Sequence, residues 1–264
     1  MNVNNNINVE EKRCLLCDCV FQKRIDEETA VLEFSWAGPA PRAGQFFLVK
    51  PKRSSVFLGR PLSAAFWQVN SAKEGPCIVR FIIIKRGRGS EEIMELRPGE
   101  KAYLTGPLGN SWPSVETSDS TAALISGGVG VAPIAAYAQE FAGGNKKTFD
   151  FYAGFRGNSY GMEEVKARKL VIASEEGSEG QKGRILDFFS PENYSVVFAC
   201  GPLPMLKALA KTCEDSGVPC FVSMEKNMAC GTGACLGCTI KTHSGNKRCC
   251  ADGPVFSASE INFE

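Results

Sequence analysis

The chain has 264 residues, of which 44% are hydrophobic and 22% are charged, a composition typical of a folded protein with about two domains. Its 30 Lys and Arg residues balance 29 Asp and Glu residues, which argues against nucleic acid or an anionic membrane as the main partner, because both need concentrated positive charge. The single histidine, His243, excludes a Rieske centre and zinc sites built on several histidines.

The beginning of the chain lacks the pattern of a signal peptide. Residues 1–10 are rich in Asn and do not show the basic-then-apolar order of a secretory leader. The longest uncharged run, residues 120–139, contains three glycines and Pro133, which would break a membrane-spanning helix. We therefore expect a soluble, cytoplasmic protein with no membrane partner.

Short apolar runs separated by Gly and Pro fill the first hundred residues. Strands spaced in this way, with little helical periodicity between them, indicate a small antiparallel barrel. Cys14, Cys17 and Cys19 lie in an apolar stretch, which favours a first strand over an additional metal site. Further strands are predicted at 31–34, 46–49, 63–69, 78–84 and 102–105.

Two segments of this region carry groups suited to holding a diphosphate. The segment Arg60-Pro61-Leu62-Ser63 leads into a strand, and Gly87-Arg88-Gly89-Ser90 follows one. An arginine offers bidentate hydrogen bonds to phosphate oxygens, and a Gly-x-Gly-Ser loop offers backbone N–H groups. Taken separately, each segment is more often an ordinary surface turn, so neither identifies a ligand by itself.

The pattern changes after residues 107–119, a segment rich in Pro, Gly and Ser that we interpret as a linker. Apolar runs and helical periodicity alternate from there to about residue 221, which predicts a parallel sheet covered by helices. Strands are predicted at 122–126, 148–154, 170–173 and 196–200, and helical spacing at 133–141, 163–169 and 204–215.

A glycine-rich loop lies between the first predicted strand and helix of this second region. Its glycines, Gly127, Gly128 and Gly130, would let the backbone approach a pyrophosphate, and Pro133 suits the first turn of the helix. The loop is not a complete G-x-G-x-x-G motif, because Pro133 takes the last position, and such a loop is often only a tight turn. The segment Cys200-Gly201-Pro202 ends a later strand of the same sheet, where ligands of open α/β sheets bind, or forms a plain strand-to-helix turn.

Five of the 12 cysteines lie between residues 230 and 250. Cys230, Cys235 and Cys238 have the C-x4-C-x2-C spacing of a plant-type [2Fe–2S] site, and the glycines among them permit the backbone angles that such a loop needs. The fourth ligand would be Cys249 or Cys250. A zinc ribbon fits less well, because it would need a second C-x2-C pair, and ordinary buried thiols are the other alternative.

The order of these motifs resembles the ferredoxin–NADP reductase superfamily, and within it most closely the electron-transfer subunits of type 1B dihydroorotate dehydrogenases. The resemblance spans about residues 15–260, and its paired cysteine motifs are its most specific part. It rests on segments 60–63, 87–90, 106–110, 127–133, 200–202, 228–235 and 250–256.

This resemblance implies an antiparallel FAD-binding β-barrel over 12–110, a Rossmann-like NAD-binding α/β domain over 111–221 and a small [2Fe–2S] domain over 222–264. It assigns Arg60 to the flavin diphosphate, Ser63 to the vicinity of the isoalloxazine ring, and Gly89 and Ser90 to a second diphosphate contact. It also selects Cys250 over Cys249 as the fourth cluster ligand. Leu62 departs from the family pattern, because many superfamily members carry there an aromatic residue that stacks on the flavin.

The three implied cofactors predict an order of electron transfer. Nicotinamide exchanges two electrons as a hydride and a [2Fe–2S] cluster takes one at a time, so FAD must lie between NAD and the cluster. No catalytic acid or base is predicted in this chain, and there is no room for a dihydroorotate-oxidising barrel of ~250 residues. The resemblance therefore implies an FMN-containing catalytic dihydroorotate dehydrogenase subunit as partner, in a heterotetramer with two chains of each kind.

Two other functions stay open at this point. The chain could be the NAD(P)H reductase subunit of a ferredoxin-linked enzyme or hydrogenase, or a zinc-stabilised nucleotide-binding module without redox activity. The choice between NAD and NADP is also open. A protein that recognises the 2′-phosphate of NADP needs basic or hydroxyl groups after the second strand of the domain. Such groups are present there, although the resemblance implies NAD: Arg156, Asn158, Ser159 and Tyr160.

Overall fold

The structure is a computed structural model that describes residues 13–69, 75–114, 121–142 and 149–263. The predictions for residues 1–10, for position 12, for 115–119 of the linker and for positions 120, 148 and 264 lie outside the described residues. The strands within these described ranges form two seven-stranded sheets and one two-stranded sheet. The predicted fold class, an antiparallel barrel-like sheet followed by a parallel α/β sheet and a small C-terminal segment, is confirmed.

The first sheet is antiparallel throughout, with strand order β4-β3-β7-β1-β2-β6-β5. Its two edge strands, β4 and β5, are joined by only two residues, Ala64 and Ala65, so the ends of the sheet come close to each other. The short helix α1 (Arg88–Met94) lies between β6 and β7. The strands are β1 (Arg13–Arg24), β2 (Thr29–Trp36), β3 (Phe46–Pro51), β4 (Arg60–Ser63), β5 (Phe66–Gln68), β6 (Cys77–Ile84) and β7 (Lys101–Leu108).

The single strand predicted at 63–69 is wrong, because the chain changes edges there. Ser63 ends β4, and the next two residues connect the two edges of the sheet. The Ala64 N–H donates to the carbonyl of Gln45, and the Ala65 N–H donates to that of Arg80. The apolar run at 63–69 cannot reveal this change of edge, since the residues before and after it both have the pattern of a strand.

Successive side chains of β3 point to opposite faces of the first sheet. Phe47 and Val49 point into the barrel, where the Phe47 ring packs edge-on against Trp36 at 5.1 Å between centroids. Phe46 and Leu48 point outward and pack with the C-terminal cysteine segment. The outer face of the barrel thus becomes the support for the predicted cluster loop.

The second sheet has the order β11-β10-β9-β8-β12-β13-β16 and is parallel except for the last strand. The strand order reverses between β8 and β12, so this is the topological switch point of the sheet. Its elements are β8 (Ala122–Gly127), α2 (Val131–Ala142), β9 (Phe149–Phe155), β10 (Lys169–Ser174), β11 (Gln181–Lys182), β12 (Val196–Cys200), α3 (Leu203–Asp215), β13 (Cys220–Ser223) and β16 (Val255–Ser257). Short 3₁₀ turns occupy Gly128–Gly130, Ile185–Phe188, Pro191–Asn193 and Ala258–Glu260.

The helix indicated by the spacing at 163–169 is wrong. The chain makes one turn, in which the Val165 N–H donates to the Met162 carbonyl, and is then extended up to β10. The Arg168 backbone N–H donates to Phe149 and its side chain pairs with Asp150, which draws the segment into the sheet before a helix can form. The other predicted strands and helices of this region are confirmed.

The predicted linker is packed rather than free where the structure describes it. Residues 107–108 belong to β7, and Trp112 is buried with its indole N–H donating to the Pro133 carbonyl at 3.2 Å. The Tyr137 hydroxyl donates to the Pro113 carbonyl at 2.9 Å. The segment therefore joins the barrel to α2 as part of one continuous core.

The C-terminal segment forms a separate hairpin and adds one edge strand to the α/β sheet. Strands β14 (Thr239–Thr242) and β15 (Gly245–Arg248) form a hairpin, whereas β16 adds to the edge of the α/β sheet beside β13. The predicted boundary at 221/222 therefore falls inside β13. In the part of the chain that the structure describes, no helix combines the length and the apolar character required to cross a membrane.

Candidate functional site

A cavity of about 840 Å³ opens between the barrel and the α/β sheet. Its volume lies within the usual range for binding sites of small molecules and cofactors. The barrel contributes both segments predicted to hold a diphosphate, and the α/β sheet contributes Cys200. The predicted residues that line it are Arg60, Pro61, Leu62, Ser63, Gly87, Gly89, Ser90 and Cys200.

The two barrel segments meet at Arg60 and Gly89. A Cβ atom built on Gly89 would lie 2.4 Å from Nε of Arg60, so only glycine allows the guanidinium to lie against this backbone. Gly87, at the start of the same turn, has a φ of 154°. The contact joins a guanidinium to a glycine backbone in one cradle, and this donor set fits a diphosphate.

The Ser90 side chain is engaged inside its own turn. Its hydroxyl accepts hydrogen bonds from the backbone N–H groups of Arg86 and Gly87, at 2.8 and 3.2 Å, and donates to the Gly87 carbonyl at 2.8 Å. The serine thus holds the shape of the diphosphate turn. Arg86 and Arg88 also line the cavity, and the sequence reasoning missed them although the alternation Arg-Gly-Arg-Gly was visible.

The glycine-rich loop and the Cys-Gly-Pro turn contact each other at the switch point of the α/β sheet. A Cβ on Gly127 would lie 2.8 Å from Cδ of Pro202, and one on Gly201 would lie 3.0 Å from the nitrogen of Gly127. Gly128 has a φ of 54°, in the left-handed region that glycine adopts without strain. The structure therefore brings together Gly127, Gly128, Gly130, Cys200, Gly201 and Pro202, while Pro133 lies in the first turn of α2 and anchors Trp112.

Cys200 and Glu225 face the cavity from the α/β side. Burial, with a smaller contribution from the Glu225 carboxylate, raises the pKa of the Cys200 thiol well above its ordinary value of 9.0. Burial also raises the pKa of Glu225, and Arg86 partly opposes this. Cys200 is therefore a neutral thiol at physiological pH. Glu225 was missed from the sequence, because a carboxylate after a strand is indistinguishable from an ordinary surface residue.

The predicted cluster loop offers backbone N–H groups to its sulfur atoms. The Cys230 Sγ accepts from the N–H groups of Thr232 and Cys235, both at 3.4 Å, and these bonds lower the pKa of Cys230 to about 5. The Cys250 Sγ accepts from the Gly233 N–H at 3.2 Å. Donors of this kind stabilise thiolates, which is the form that binds metal.

The thiols of this loop form two pairs. The Cys235 N–H donates to Sγ of Cys230, and the Cys250 N–H donates to Sγ of Cys238, each at 3.4 Å. No three His, Cys, Asp or Glu side chains in the described part of the chain converge in a way suited to one metal ion. Four cysteines arranged as two pairs would supply two sulfur ligands to each iron of a [2Fe–2S] cluster. The residues present therefore fit a [2Fe–2S] cluster.

Cys249 points away from these pairs. Its Sγ donates to the Met224 carbonyl at 3.1 Å inside the core, and burial raises the pKa of this thiol to about 12. Cys250, one residue later, faces Gly233 and Cys238. The Cys250 thiol thus faces the cluster loop through Gly233, whereas the Cys249 thiol is bonded to the core.

The apolar residues of the cysteine segment divide into buried and exposed ones. Val255 and Phe256 are buried in β16, whereas Leu236 is 63% exposed at the tip of the loop, with Met228 and Ala229 half-buried. Asn110 secures this arrangement from the barrel side. Its side chain accepts from the Val255 N–H at 2.9 Å and donates to the Val255 carbonyl at 2.8 Å.

Exposed apolar side chains continue from the cluster loop across the outer face of the barrel. A Cβ on Gly231 would lie 2.8 Å from Cδ1 of Leu48, so the loop sits directly on this face. Beyond Leu48, Tyr103 is paired with Leu16 across β7 and β1, and both are about two-fifths exposed. Phe57, 88% exposed, lies near Lys50 of the adjoining strand. We call Leu16, Phe57 and Tyr103 the apolar strip.

Comparison with known proteins identifies relatives for most of the chain. Residues 225–262 match the family described as the iron-sulfur cluster binding domain of dihydroorotate dehydrogenase B. Two proteins named dihydroorotate dehydrogenase B (NAD(+)), electron transfer subunit, are similar over nearly their full length. That of Clostridium acetobutylicum is 39% identical over 222 residues, covering 83% of this chain and 86% of the relative. That of Caldanaerobacter subterraneus subsp. tengcongensis is 34% identical over 248 residues, covering 91% and 95%.

Solved structures share the fold. A chain of an NADH-dependent reduced ferredoxin–NADP oxidoreductase, solved in work on flavin-based electron bifurcation, superposes with a TM-score of 0.78 at 24% identity, covering 94% of this chain and 90% of that one. A ferredoxin reductase of carbazole 1,9a-dioxygenase superposes with a TM-score of 0.66 at 23% identity, covering 79% and 66%. At these identities the similarity establishes the fold alone, and the fold is that of the ferredoxin–NADP reductases.

Proposed function

The chain belongs to the family of dihydroorotate dehydrogenase B electron transfer subunits, and from this premise we propose that it carries electrons between a dihydroorotate-oxidising partner subunit and NAD. It is an oxidoreductase subunit of pyrimidine biosynthesis with FAD, a [2Fe–2S] cluster and NAD as its redox groups. A bound flavin supplies the exchange between two-electron and one-electron chemistry. The protein supplies binding, orientation and exclusion of water.

One observation carries this proposal. The same cavity is lined by the barrel segment 60–63, by Cys200 of the α/β sheet and by Met228, which precedes Cys230 by two residues. Groups held at these three places would be close neighbours with little water between them. This is the arrangement that electron transfer from a nicotinamide to a cluster requires.

Individual residues have specific roles in this proposal. Arg60 and the Gly89 backbone hold the flavin diphosphate, with Ser90 shaping the turn, while Pro61, Leu62 and Ser63 face the rest of the flavin. The backbone of Gly127, Gly128 and Gly130 receives the nicotinamide nucleotide, next to Cys200, Gly201 and Pro202. Cys230, Cys235, Cys238 and Cys250 ligate the cluster. No side chain is required as acid or base for hydride transfer.

The partner is a catalytic dihydroorotate dehydrogenase subunit that contains FMN, and we propose a heterotetramer with two chains of each kind. The partner docks over Leu236 and the apolar strip, because these exposed side chains adjoin the cluster loop and an apolar surface of this kind marks an interface. Docking there would place the partner's flavin beside the exposed end of the loop, where Cys235 lies.

The division into an FAD-binding barrel over 12–110, an NAD-binding domain over 111–221 and a cluster domain over 222–264 belongs to the same proposal. The separate sheet of β1 to β7 supports the first range, and the helices on the parallel sheet support the second. A cytoplasmic location also belongs to it. None of the 12 cysteines forms a disulfide, which fits a reducing compartment.

Reconstitution of the complex tests this function. The purified chain should show flavin and iron–sulfur absorbance and should oxidise NADH with ferricyanide, but it should not act on dihydroorotate. Addition of the catalytic subunit should couple dihydroorotate oxidation to NAD reduction. A colourless chain, or dihydroorotate-dependent NAD reduction by this chain alone, would contradict the proposal.

A further inference from the structure

Two loops meet at the carboxyl edge of the α/β sheet, next to the glycine-rich loop. One follows β9 and begins at Arg156, and the other follows β10 and covers residues 175–180. Strands β8, β9 and β10 are neighbours, so these loops lie on the same edge as Gly127. In dinucleotide-binding sheets the adenosine ribose lies at the end of the second strand, and the residues there distinguish NAD from NADP.

The loop after β9 carries two residues suited to a 2′-phosphate, Arg156 and Ser159, but each already contacts a carboxylate. The Ser159 N–H and hydroxyl donate to the two oxygens of Glu179, at 2.8 and 3.0 Å. The Arg156 Nε lies 3.2 Å from Oε1 of Glu176. Two of the four groups that the sequence offers to a phosphate, Arg156 and Ser159, are therefore engaged by carboxylates of the neighbouring loop.

The backbone holds these carboxylates in place. The Glu176 N–H donates to the Arg156 carbonyl, and the Glu179 N–H donates to Oγ of Ser174, each at 3.1 Å. Gly180 has a φ of 66°, and a Cβ there would lie 2.2 Å from the Ile172 carbonyl, so the loop closes tightly over the end of β10. The fold thus fixes the backbone of Glu176 and Glu179, and the two hydrogen bonds from Ser159 also fix the Glu179 carboxylate.

The loop that carries Ser159 also reaches the glycine-rich loop. The next residue after Ser159 is Tyr160. The Tyr160 hydroxyl would lie 3.9 Å from a Cβ atom built on Gly128. A nucleotide whose pyrophosphate lies on the glycine loop would therefore present its adenosine ribose to this region. A ribose hydroxyl can donate to a carboxylate, whereas a 2′-phosphate next to it would be repelled.

We propose that Glu179, assisted by Glu176, makes this chain selective for NAD by excluding the 2′-phosphate of NADP. Glu179 is the more important because two hydrogen bonds hold it, whereas the Arg156–Glu176 pair is largely exposed and screened by solvent. This inference rests on the proposed function, since it assumes that a nicotinamide nucleotide binds at the glycine loop.

The test compares both cofactors in the chain loaded with FAD and cluster. We measure kcat/KM for NADH and NADPH with ferricyanide, and dissociation constants of ADP and adenosine 2′,5′-bisphosphate by calorimetry. The Glu176→Gln/Glu179→Gln double variant should raise kcat/KM for NADPH by about tenfold or more, mainly through KM, and should tighten 2′,5′-bisphosphate binding similarly. Glu179→Gln alone should give most of the gain. Adding Arg156→Ala to the double variant should remove part of the gain in kcat/KM for NADPH.

Glu175→Gln is the matched control, because Glu175 lies in the same loop but its carboxylate faces Arg184 at 3.8 Å. It should leave the NADH to NADPH ratio unchanged. Equal use of both cofactors by the wild type, or a double variant whose ratio and bisphosphate affinity stay within about twofold, would overturn the assignment. A wild-type chain that binds neither ADP nor NADH would instead refute the nucleotide site and with it the proposed function.

Discussion

Gly130 and Cys200 are in backbone contact: a Cβ atom built on Gly130 would lie 2.2 Å from the carbonyl oxygen of Cys200. The contact brings the start of α2 against the end of β12 and closes the switch point of the sheet. Gly130 does not have a positive φ, so its backbone conformation does not require glycine. Glycine is needed at this position because a side chain would clash with the Cys200 carbonyl.

Replacing Gly130 with Ala should therefore separate the two halves of the nucleotide site. We expect KM for NADH to rise by on the order of 10–100-fold, because a displacement of about 1 Å at a binding loop has effects of that size. Gly99→Ala is the control. Gly99 has a φ of 92° but open space around it, so this change strains the backbone without touching the site. Unchanged NADH kinetics in Gly130→Ala would show that the contact does not shape the site.

The adjacent thiols of Cys249 and Cys250 should behave differently. Cys250→Ser should lose the cluster, measured as iron and sulfide per chain and as visible absorbance, because its thiol lies beside Cys238. Cys249→Ser should retain the cluster, because the Cys249 thiol donates to the Met224 carbonyl in the core. A complete cluster in Cys250→Ser would refute this ligand assignment.

Arg60→Ala should weaken FAD binding. Loss of one charge-assisted contact corresponds to about 1.5–3 kcal/mol, or roughly a 10–150-fold higher dissociation constant. Arg97→Ala provides a matched control, since Arg97 is exposed and does not line the cavity. Titration of the apo-chain with FAD measures the difference. Equal affinities in the two variants would exclude Arg60 from the diphosphate site.

Asp150 should contribute a pH-dependent stabilisation of the α/β sheet. Burial acts to raise the pKa of its carboxyl, but hydrogen bonds from Arg168 and Tyr194 outweigh burial and lower the pKa below the ordinary 3.8. The stabilisation is therefore present at neutral pH and is lost as the pH falls below 3.8 through the folded-state pKa. Asp150→Asn should lower the free energy of unfolding by about 1–2 kcal/mol at pH 7, since solvent screens the half-exposed Arg168.

Urea titrations at several pH values check this prediction. The difference between wild type and Asp150→Asn should shrink as the pH falls below 3.8 towards the lowered folded-state pKa. Asp215→Asn removes a carboxylate from the exposed pair with Lys211 and should change stability little at any pH. A difference that is independent of pH would mean that the charge of Asp150 is not the stabilising feature.

Charged substitutions in the apolar strip should weaken the complex with the catalytic subunit. Tyr103→Glu and Leu16→Glu place a carboxylate on the face that adjoins the cluster loop, and we expect the dissociation constant to rise by about tenfold or more in each. Leu170→Glu is the control, because Leu170 is similarly exposed but lies in β10 of the other sheet. NADH oxidation with ferricyanide should stay normal in all three. Unaltered association in both strip variants would exclude this face.

Local patterns were sufficient for most of the elements and for the chemistry of the cluster loop. The spacing of Cys230, Cys235 and Cys238 is a local property, because these three cysteines lie in one loop. The strand–glycine–helix order at Gly127 is local for the same reason. Period-two and helical patterns located the two sheets, and they were wrong at 63–69 and 163–169, where long-range hydrogen bonds decide the path of the chain.

Contacts between residues far apart in sequence depended on the tertiary structure. Asn110 binds the backbone of Val255, 145 residues later, and no local pattern indicates that its amide joins the barrel to the cluster segment. The cysteine spacing left Cys249 and Cys250 open and the family resemblance implied Cys250, but only the tertiary structure shows their different partners: the Cys249 thiol donates to the Met224 carbonyl, whereas the Cys250 sulfur accepts from the Gly233 N–H. From the sequence Ser159 is a candidate phosphate ligand, but in the structure it donates two hydrogen bonds to Glu179 in the loop after β10. Side-chain chemistry is encoded locally, whereas the partner of each side chain depends on how the sheets bring distant loops together.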